Sequence, residues 1–249
     1  MNKYRILVIG CIMLPAFMMG QSGEKPFTLK GQLKHLDASY EKVYISYASQ
    51  GSRLTDSAAI VKGKYLLKGK IEEPVMARLW VSRDTVIDGK TVALRREGMS
   101  TLLFLEPGTI RMNHRDSFSN VQVRGSKAQQ DYAALDASLK PLNQQLEKVY
   151  ADYMESAKKK DKDAMKRLDD QYSDLYAEKR RQYKNYVLDN PASPIAVYLI
   201  NQYAGYDINA DSVAPLLVKL PAASQSLPGA QELKRKVEIA QKTAIGKEA

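Results

Sequence analysis

Apolar and polar residues alternate along the first half of the chain, as they do in β-strands that bury one face. Segments 27–33 and 43–47 follow this pattern and are rich in β-branched or aromatic residues, and Gly31 inside the first predicts a β-bulge. Lys62-Gly63 predicts a tight hairpin turn with residues 65–71 as the return strand, because glycine readily adopts a positive φ. Roughly seven or eight such segments within residues 21–125 predict an antiparallel β-sandwich.

The period changes in the second half of the chain to that of an amphipathic α-helix. Apolar residues recur every three or four positions over residues 132–153 and again over 165–187. Pro141 predicts a kink or a restart of the first helix, and the charged run at 158–163 predicts a solvent-exposed bend. These features predict an antiparallel helical hairpin over about residues 127–188, followed by shorter helices.

The two halves together predict the α+β class, with an N-terminal antiparallel β-sandwich followed by an α-helical region. Strands and helices do not alternate, so the sequence does not favour a parallel sheet. The predicted domains are the β-sandwich at residues 21–125 and the helical domain at residues 126–249, which ends in a linker-like tail.

Residues 1–20 have the features of a secretory signal peptide. A short basic start precedes an apolar run that is too short to span a membrane, and Gly20 is a small residue suited to cleavage. The alternative is a lipoprotein signal in which Cys11 carries the lipid. Cleavage after Gly20 is favoured, because the apolar run before Cys11 is short. The sequence therefore predicts export from the cytoplasm.

Composition excludes several kinds of site. The 249 residues include 38 Lys and Arg against 28 Asp and Glu, for a formal net charge of +10. The one cysteine, Cys11, and the two histidines, His35 and His114, argue against a disulfide framework and against a cysteine- or histidine-rich metal site. No cofactor is expected, and export makes nucleic acid an unsuitable partner. Membrane contact is expected only through a lipidated Cys11 or through the basic surface.

Two short motifs contain reactive residue types but have simpler interpretations. Segment 207–211 resembles the start of a calcium loop without its glycine and its bidentate glutamate, so a turn in which Asp211 or Ser212 caps a helix is favoured. His114 to Ser117 include the residue types of a catalytic triad, but a surface turn is favoured because sequence neighbours rarely form a triad.

Carboxylate pairs for glycoside hydrolysis stay open at this stage, because their spacing is not visible in a sequence. Glu72, Glu73 and Glu106 follow predicted strands, where solvated turns are the simpler interpretation. No catalytic or metal-binding residue is predicted.

Aromatic residues are the candidate contacts for a ligand or partner. The chain has 15 tyrosines and one tryptophan. Trp80 lies on a predicted strand, and Tyr150, Tyr153, Tyr172 and Tyr176 are predicted to line the seam of the helical hairpin. The alternative, which is favoured for the tyrosines, is an ordinary helix interface in which each hydroxyl reaches water.

Four stretches of the chain form recognisable motifs: Asp56-Ser57-Ala58-x-Ile60-x-x-Gly63-Lys64-Tyr65-x-x-x-Gly69-x-Ile71-x-x-Pro74, Phe104-Leu105-Glu106-Pro107-Gly108, Val123-x-Gly125-Ser126-x-x-Gln129-x-x-Tyr132 and Asn190-Pro191-x-Ser193. Together they resemble a small β-rich domain of unknown function that lies at the N-terminus of exported thiol–disulfide oxidoreductases of the TlpA/ResA thioredoxin-like type in Gram-negative bacteria. The resemblance implies a location in the periplasm or cell envelope.

The resemblance also implies a partner. Residues 245–249 resemble the linker that leads into the thioredoxin-like domain, whose CxxC pair has no counterpart in this sequence. We therefore expect a non-catalytic exported accessory module, with a thioredoxin-like domain in cis or an envelope protein as its partner and a homodimer through the hairpin as a further arrangement. The alternative is a stand-alone envelope protein that binds glycan or peptide through the β-sandwich. A carboxylate hydrolase has no supporting motif.

Overall fold

Strands come first and helices second, which follows the change of period in the sequence. The computed structural model describes residues 23–34, 40–49, 51–87, 90–94 and 99–243. The strands are β1 (Lys25–Leu33), β2 (Lys42–Ser49), β3 (Ser52–Ala59), β4 (Lys64–Ile71), β5 (Val75–Val81), β6 (Arg83–Ile87), β7 (Lys90–Leu94), β8 (Ser100–Leu105), β9 (Gly108–His114) and β10 (Val121–Arg124). The helices are α1 (Lys127–Lys159), α2 (Lys162–Asp189), α3 (Ala196–Ala204), α4 (Ala210–Lys219), α5 (Ala222–Gln225) and α6 (Pro228–Thr243). The predicted α+β class is confirmed.

Several predicted features lie outside the described residues. They are the signal peptide, Cys11, His35 and the linker-like tail at 245–249.

Two four-stranded sheets and a two-stranded ribbon make up the β-rich half. The strand orders are β10-β9-β1-β4 in the first sheet and β3-β2-β5-β8 in the second, and β6 pairs with β7. Every pair of named strands is antiparallel except β1 with β9, which is parallel. The predicted sandwich of antiparallel strands is therefore confirmed with one exception. The long connection from β1 to β9 permits this exception, because parallel neighbours need a connection of about a dozen residues or more.

The first core lies between the inner faces of the two sheets, where the apolar positions of the alternating pattern meet. It includes Leu29, Ile45, Leu79 and Ile110, all of which are fully or almost fully buried. The β-bulge predicted at Gly31 is absent, because β1 pairs with β4 in unbroken register through that residue.

A tight turn is present at Lys62-Gly63 as predicted, but the hairpin predicted there is wrong, because β3 pairs with β2 and β4 pairs with β1. The φ angles are 51° and 69°, and Val61 and Lys64 exchange backbone hydrogen bonds of 2.8 and 3.0 Å. Positive φ at both central residues is typical of a type I′ turn. The turn joins β3 to β4, which belong to different sheets, so it forms a corner of the sandwich.

The helical hairpin is also confirmed. Its bend lies at Lys160, whose φ is 57°, and Asp161 caps α2 by accepting a hydrogen bond from the amide of Ala164 (3.0 Å). Of the kink or restart predicted at Pro141, the restart does not occur, since α1 continues through this residue. Leu139 and Leu142 on either side pack into the second core, and this packing offsets the hydrogen bond that proline removes.

The second core forms among the helices and against one end of the second sheet. Phe104 of β8 points away from the first core and meets Tyr198 edge-on at 5.0 Å and Tyr132 at 5.2 Å between ring centroids. Met76 of β5 packs at the same place. The helices therefore cover one half of the outer face of the second sheet. The half that carries Trp80 lies further along β5.

Candidate functional site

The triad residue types at 114–117 do not form a catalytic site. His114 is fully buried; its Nε2 accepts a hydrogen bond from the Tyr65 hydroxyl (2.8 Å), and its Nδ1 donates to the carbonyl of Phe118 (2.7 Å). Because a carbonyl can only accept, this arrangement defines the tautomer. The surface turn predicted here is wrong for His114, since the alternation of β9 directs it inward, whereas Arg115 and Asp116 are exposed.

Burial lowers the pKa of His114, and the hydrogen bond to Phe118 opposes that effect more weakly. The imidazole is consequently neutral at physiological pH and stacks on Phe118, with 4.2 Å between ring centroids. Its role is that of a polar core residue with both nitrogens satisfied.

Glu73 and Glu106 bind helix N-termini, so the solvated-turn interpretation is wrong for both. Glu106 Oε2 accepts hydrogen bonds from the Ser126 hydroxyl and the Ala128 amide at the start of α1 (2.8 Å each). Glu73 accepts from the amide of Gly229 in α6 (3.1 Å). Burial raises the pKa of Glu73, with the Gly229 hydrogen bond opposing it. Free amides at helix N-termini attract carboxylates, which explains both contacts.

The calcium-like segment forms a turn and a helix start. The turn is as predicted, but Asn209 is the cap, accepting from the amide of Ser212 at 3.0 Å, in place of the predicted Asp211 or Ser212. Within the described ranges, no three His, Cys, Asp or Glu side chains come together in a way that could hold a metal ion.

The candidate tyrosines lie mainly on the surface of the hairpin. Tyr150, Tyr172 and Tyr176 are exposed, and Tyr172 stacks on Tyr176 with 6.3 Å between centroids. Tyr153 is partly buried. Aliphatic side chains such as Leu146 are buried at the seam, and of the four tyrosines predicted to line it only Tyr153 is partly buried. No ring contact joins these tyrosines to Trp80, so the predicted site residues are divided between the hairpin and the sheet.

The uncovered half of the second sheet carries a polar cleft, which we call the Trp80 cleft. Its volume is about 200 Å³. It is lined by Ser46, Arg53, Arg78, Trp80, Val81, Met99 and Ser100. These residues come from four neighbouring strands and from the residue that precedes β8.

Strand register brings the central side chains together. Ser46 lies directly opposite Arg78, and Tyr44 lies opposite Trp80, on the antiparallel pair β2–β5. On the other side of β5, Ser100 lies opposite Trp80, and its hydroxyl accepts a hydrogen bond from Arg78 (3.2 Å). Residues two apart on a strand share a face, so Arg78 and Trp80 project from the same side.

Two features of the cleft are unusual for a protein surface. The rings of Tyr44 and Trp80 stack face to face, with 5.5 Å between centroids and an interplanar angle of 12°. Ser46 is only 6% exposed, and its hydroxyl has no hydrogen-bond partner. Buried hydroxyls almost always have a partner, so an unpaired one in a cleft points to a group that completes it.

Sequence reasoning selected Trp80 but missed Ser46, Arg53, Arg78 and Ser100. A partial signal was available, because the alternation over residues 75–81 already puts Arg78 and Trp80 on one face. No sequence signal connects these two residues to Arg53 or Ser100, since strand order alone makes them neighbours.

No helix in the described part of the chain is both long enough and apolar enough to cross a membrane.

The comparisons with known proteins concern the β-rich half. No curated protein and no solved structure matches the chain. One family model matches, that of a domain of unknown function (DUF4369), from β1 at residue 27 to the second turn of α1 at residue 132. Residues 27–132 of this protein are therefore a DUF4369 domain.

Proposed function

We propose that this protein is an exported binding module of the cell envelope, without catalytic machinery of its own, and that it holds a glycan or peptide group in the Trp80 cleft. The observation that carries the proposal is the stacked Tyr44–Trp80 pair next to the unpaired, buried hydroxyl of Ser46. Aromatic rings beside a few fixed polar groups are typical of binding sites for small ligands.

The lining of the cleft favours binding over catalysis. The described residues of its lining include two arginines, two serines and a tryptophan, but no carboxylate, histidine or cysteine. A serine without an adjacent general base is a weak nucleophile. The guanidinium groups of the two arginines are hydrogen-bond donors only, so they offer no lone pair to a substrate proton.

The fluorescence of Trp80 provides a direct test, because it is the only tryptophan of the chain. We expect a ligand found on a glycan or peptide array to change the emission of Trp80 in a saturable titration. Trp80→Ala should abolish binding on the array, while Tyr206→Ala, at a fully exposed tyrosine outside the cleft, should leave it unchanged. Retained binding by Trp80→Ala would exclude the cleft as the site.

The proposed export is tested by the mass of the N-terminus. In a Gram-negative host, cleavage after Gly20 yields a periplasmic protein that begins at Gln21, whereas a lipoprotein begins at a modified Cys11. A cytoplasmic protein that retains Met1 would contradict export.

A second candidate function follows the finer family resemblance: an accessory module for a thioredoxin-like domain, in cis or on an envelope partner. The observation that favours it is the distal part of the hairpin. Leu146 and Val149 are buried there but belong to neither core, and Tyr150, Tyr172 and Tyr176 are exposed around them. This surface is suited to contact with another protein or a second copy of the chain.

The accessory role is tested by sequencing the gene beyond this chain and by substituting exposed residues of the helical hairpin. Reading the gene past the codon for Ala249 reveals a CxxC domain if the partner is in cis, and a stop codon contradicts that arrangement. The double variant Tyr150→Ser/Tyr172→Ser should weaken self-association or partner binding measured by light scattering and pull-down, with Tyr206→Ser as control. Unchanged association would exclude the hairpin as the contact surface.

A further inference from the structure

The charge of the Trp80 cleft restricts what it can bind, provided that the cleft is the binding site as proposed above. Arg53 and Arg78 both line it, and neither forms an ion pair with any described residue. The outward positions of β2, β3, β5 and β8 carry no Asp or Glu between residues 42–48, 53–57, 76–80 and 100–104. As far as the side chains are described, the uncovered sheet face is therefore cationic and carries no carboxylate that neutralises it.

The hydroxyls of the cleft indicate what else the ligand offers. Ser46 Oγ is buried with no partner, and it lies on the strand position directly opposite Arg78. Ser100 is engaged by Arg78 through one hydrogen bond and keeps its own proton free to donate. A ligand that supplies both hydroxyl and carboxylate groups satisfies the serines and the arginines at once.

The ring of Trp80 indicates the shape of the ligand. Tyr44 covers one of its faces, and the small Ser100 occupies the opposite cross-strand position. Among the described side chains no second ring stacks on Trp80, so the face away from Tyr44 has no aromatic partner there. The volume of about 200 Å³ is below the roughly 300–1,000 Å³ of pockets for drug-sized ligands, and it suits a single sugar unit.

We infer that the Trp80 cleft binds an acidic saccharide through one uronic acid unit. The carboxylate accepts hydrogen bonds from Arg78 and Arg53, a sugar hydroxyl pairs with Ser46, and the sugar ring packs on the face of Trp80 away from Tyr44. Guanidinium groups suit carboxylates because their fork of donors matches the two oxygens.

A peptide with a free C-terminal carboxylate is the competing ligand. The sugar is favoured because a pyranose has several hydroxyls and a flat apolar face for the serines and the indole. A C-terminal residue has one carboxylate and a side chain of no particular shape. The two ligands are compared in the same experiment.

The experiment is a titration of Trp80 fluorescence in the mature protein at fixed ionic strength. The probes are a trigalacturonate, the neutral galactose trisaccharide of the same length, and a tripeptide with a free C-terminus. We expect trigalacturonate to bind at least ten times more tightly than either other probe. Its affinity should fall as salt is raised, because charge pairs contribute to binding.

Two variants and one matched control identify the side chains that bind the sugar. Arg78→Gln should weaken trigalacturonate binding at least tenfold, whereas Arg124→Gln, at an exposed arginine of the first sheet, should leave the affinity unchanged. Ser46→Ala should also weaken binding. In the free protein it should keep or raise Tm, since it removes an unpaired buried hydroxyl. A serine with only a structural role would not show both weaker ligand binding and an unchanged or higher Tm on replacement by alanine.

The remaining outcomes of these titrations separate a failure of the uronate inference from a failure of the proposed binding function. Equal affinity for the acidic and neutral sugars, preference for the tripeptide, or full binding by Arg78→Gln overturns the uronate inference and leaves the proposed binding function standing. If neither these probes nor a broad glycan and peptide array perturbs Trp80, both the inference and the proposed function are overturned.

Discussion

Two cross-strand pairs in the first sheet combine a glycine with an aromatic ring. Gly31 lies opposite Tyr65, and Gly69 lies opposite Phe27, on the antiparallel pair β1–β4. A Cβ on Gly31 would overlap the Tyr65 ring, and one on Gly69 would lie 2.6 Å from Phe27 Cε1. The ring of Tyr65 can therefore reach His114 only because Gly31 has no side chain.

Replacing Gly31 should destabilise the sandwich. We expect Gly31→Ala to lower the free energy of unfolding by about 1–3 kcal/mol, because the methyl group forces the Tyr65 ring out of position. Urea denaturation measures the change. Lys30→Ala, at the exposed neighbouring residue, is the control and should alter stability by less than about 0.5 kcal/mol. Equal effects of the two variants would contradict the role assigned to Gly31.

The buried imidazole of His114 should make stability depend on pH. Its folded-state pKa lies below the ordinary value of 6.5, so the unfolded chain takes up a proton first as the pH falls. The contribution of neutral His114 is fully present above pH 6.5. It declines as the pH drops from 6.5 toward the lower folded-state pKa.

The measurement compares the wild type with His114→Gln in urea at pH 7.5 and pH 5.0. Glu73 and every other titrating group are common to both proteins, so their effects cancel in the difference. We expect the stability advantage of the wild type to shrink at pH 5.0, by at most about 1.4 kcal/mol per pH unit. An advantage that is constant or grows at low pH would contradict a depressed pKa for His114.

At the scale of elements, side chains decide where helices begin and turn. The hairpin bend depends on Lys160 in a left-handed conformation and on the cap at Asp161. Ser193 has a side chain of the kind that caps helices, since a serine hydroxyl can accept from a free amide at a helix start. Ser193 instead donates to Asp131 of α1 at 2.7 Å, so that α3 begins at Ala196. Ser193, a residue type that often caps helices, thus connects the start of α3 to α1.

The left-handed residue of the bend offers a stabilising substitution. Lys160→Gly should raise the free energy of unfolding by up to about 1 kcal/mol, because glycine adopts positive φ without a steric cost. Lys159→Gly, one residue earlier and inside α1, is the matched control and should lower it by about 1 kcal/mol. Thermal or chemical denaturation of the two variants measures both changes, and a loss of stability in Lys160→Gly would contradict the argument.

At the scale of the whole molecule, the β-rich and helical halves share contacts that are apolar and polar. Phe104 is a strand residue buried in the helical core, and its amide donates to Gln129 Oε1 of α1 (2.7 Å). Glu106 and Glu73 cap α1 and α6 from the sheet side. These contacts leave only the Trp80 half of the outer sheet face available to a ligand.

Removing the shared aromatic residue should weaken both halves together. Phe104→Ala is expected to lower the free energy of unfolding by about 3–5 kcal/mol. It removes the ring that both Tyr132 and Tyr198 contact, and it leaves a cavity. Leu102→Ala, at an exposed residue of the same strand, should have an effect below about 1 kcal/mol. Denaturation followed by circular dichroism, which reports the helices and the sheets, checks the size and the coupling of the change.

The sequence by itself determined the elements of this protein and their class. The patterns that predicted them are local, because each depends on residues close together in sequence. They are the alternation of apolar and polar residues in the strands, the apolar spacings of three and four in the helices, the Lys62-Gly63 pair and the charged run near Lys160. They correctly predicted the sandwich, the helical hairpin and the position of the turn at Lys62-Gly63, but not that this turn joins the two sheets.

The tertiary structure alone decided which residues meet. The parallel pairing of β1 with β9, the burial of His114 against Tyr65 and the ring over Gly31 all join segments far apart in sequence. Trp80 could be selected from composition, but the cleft also needs Arg53 from β3 and Ser100 from β8. The physical reason is that strand order and register are set by the packing of two whole sheets and the helices above them, and no local pattern contains that information.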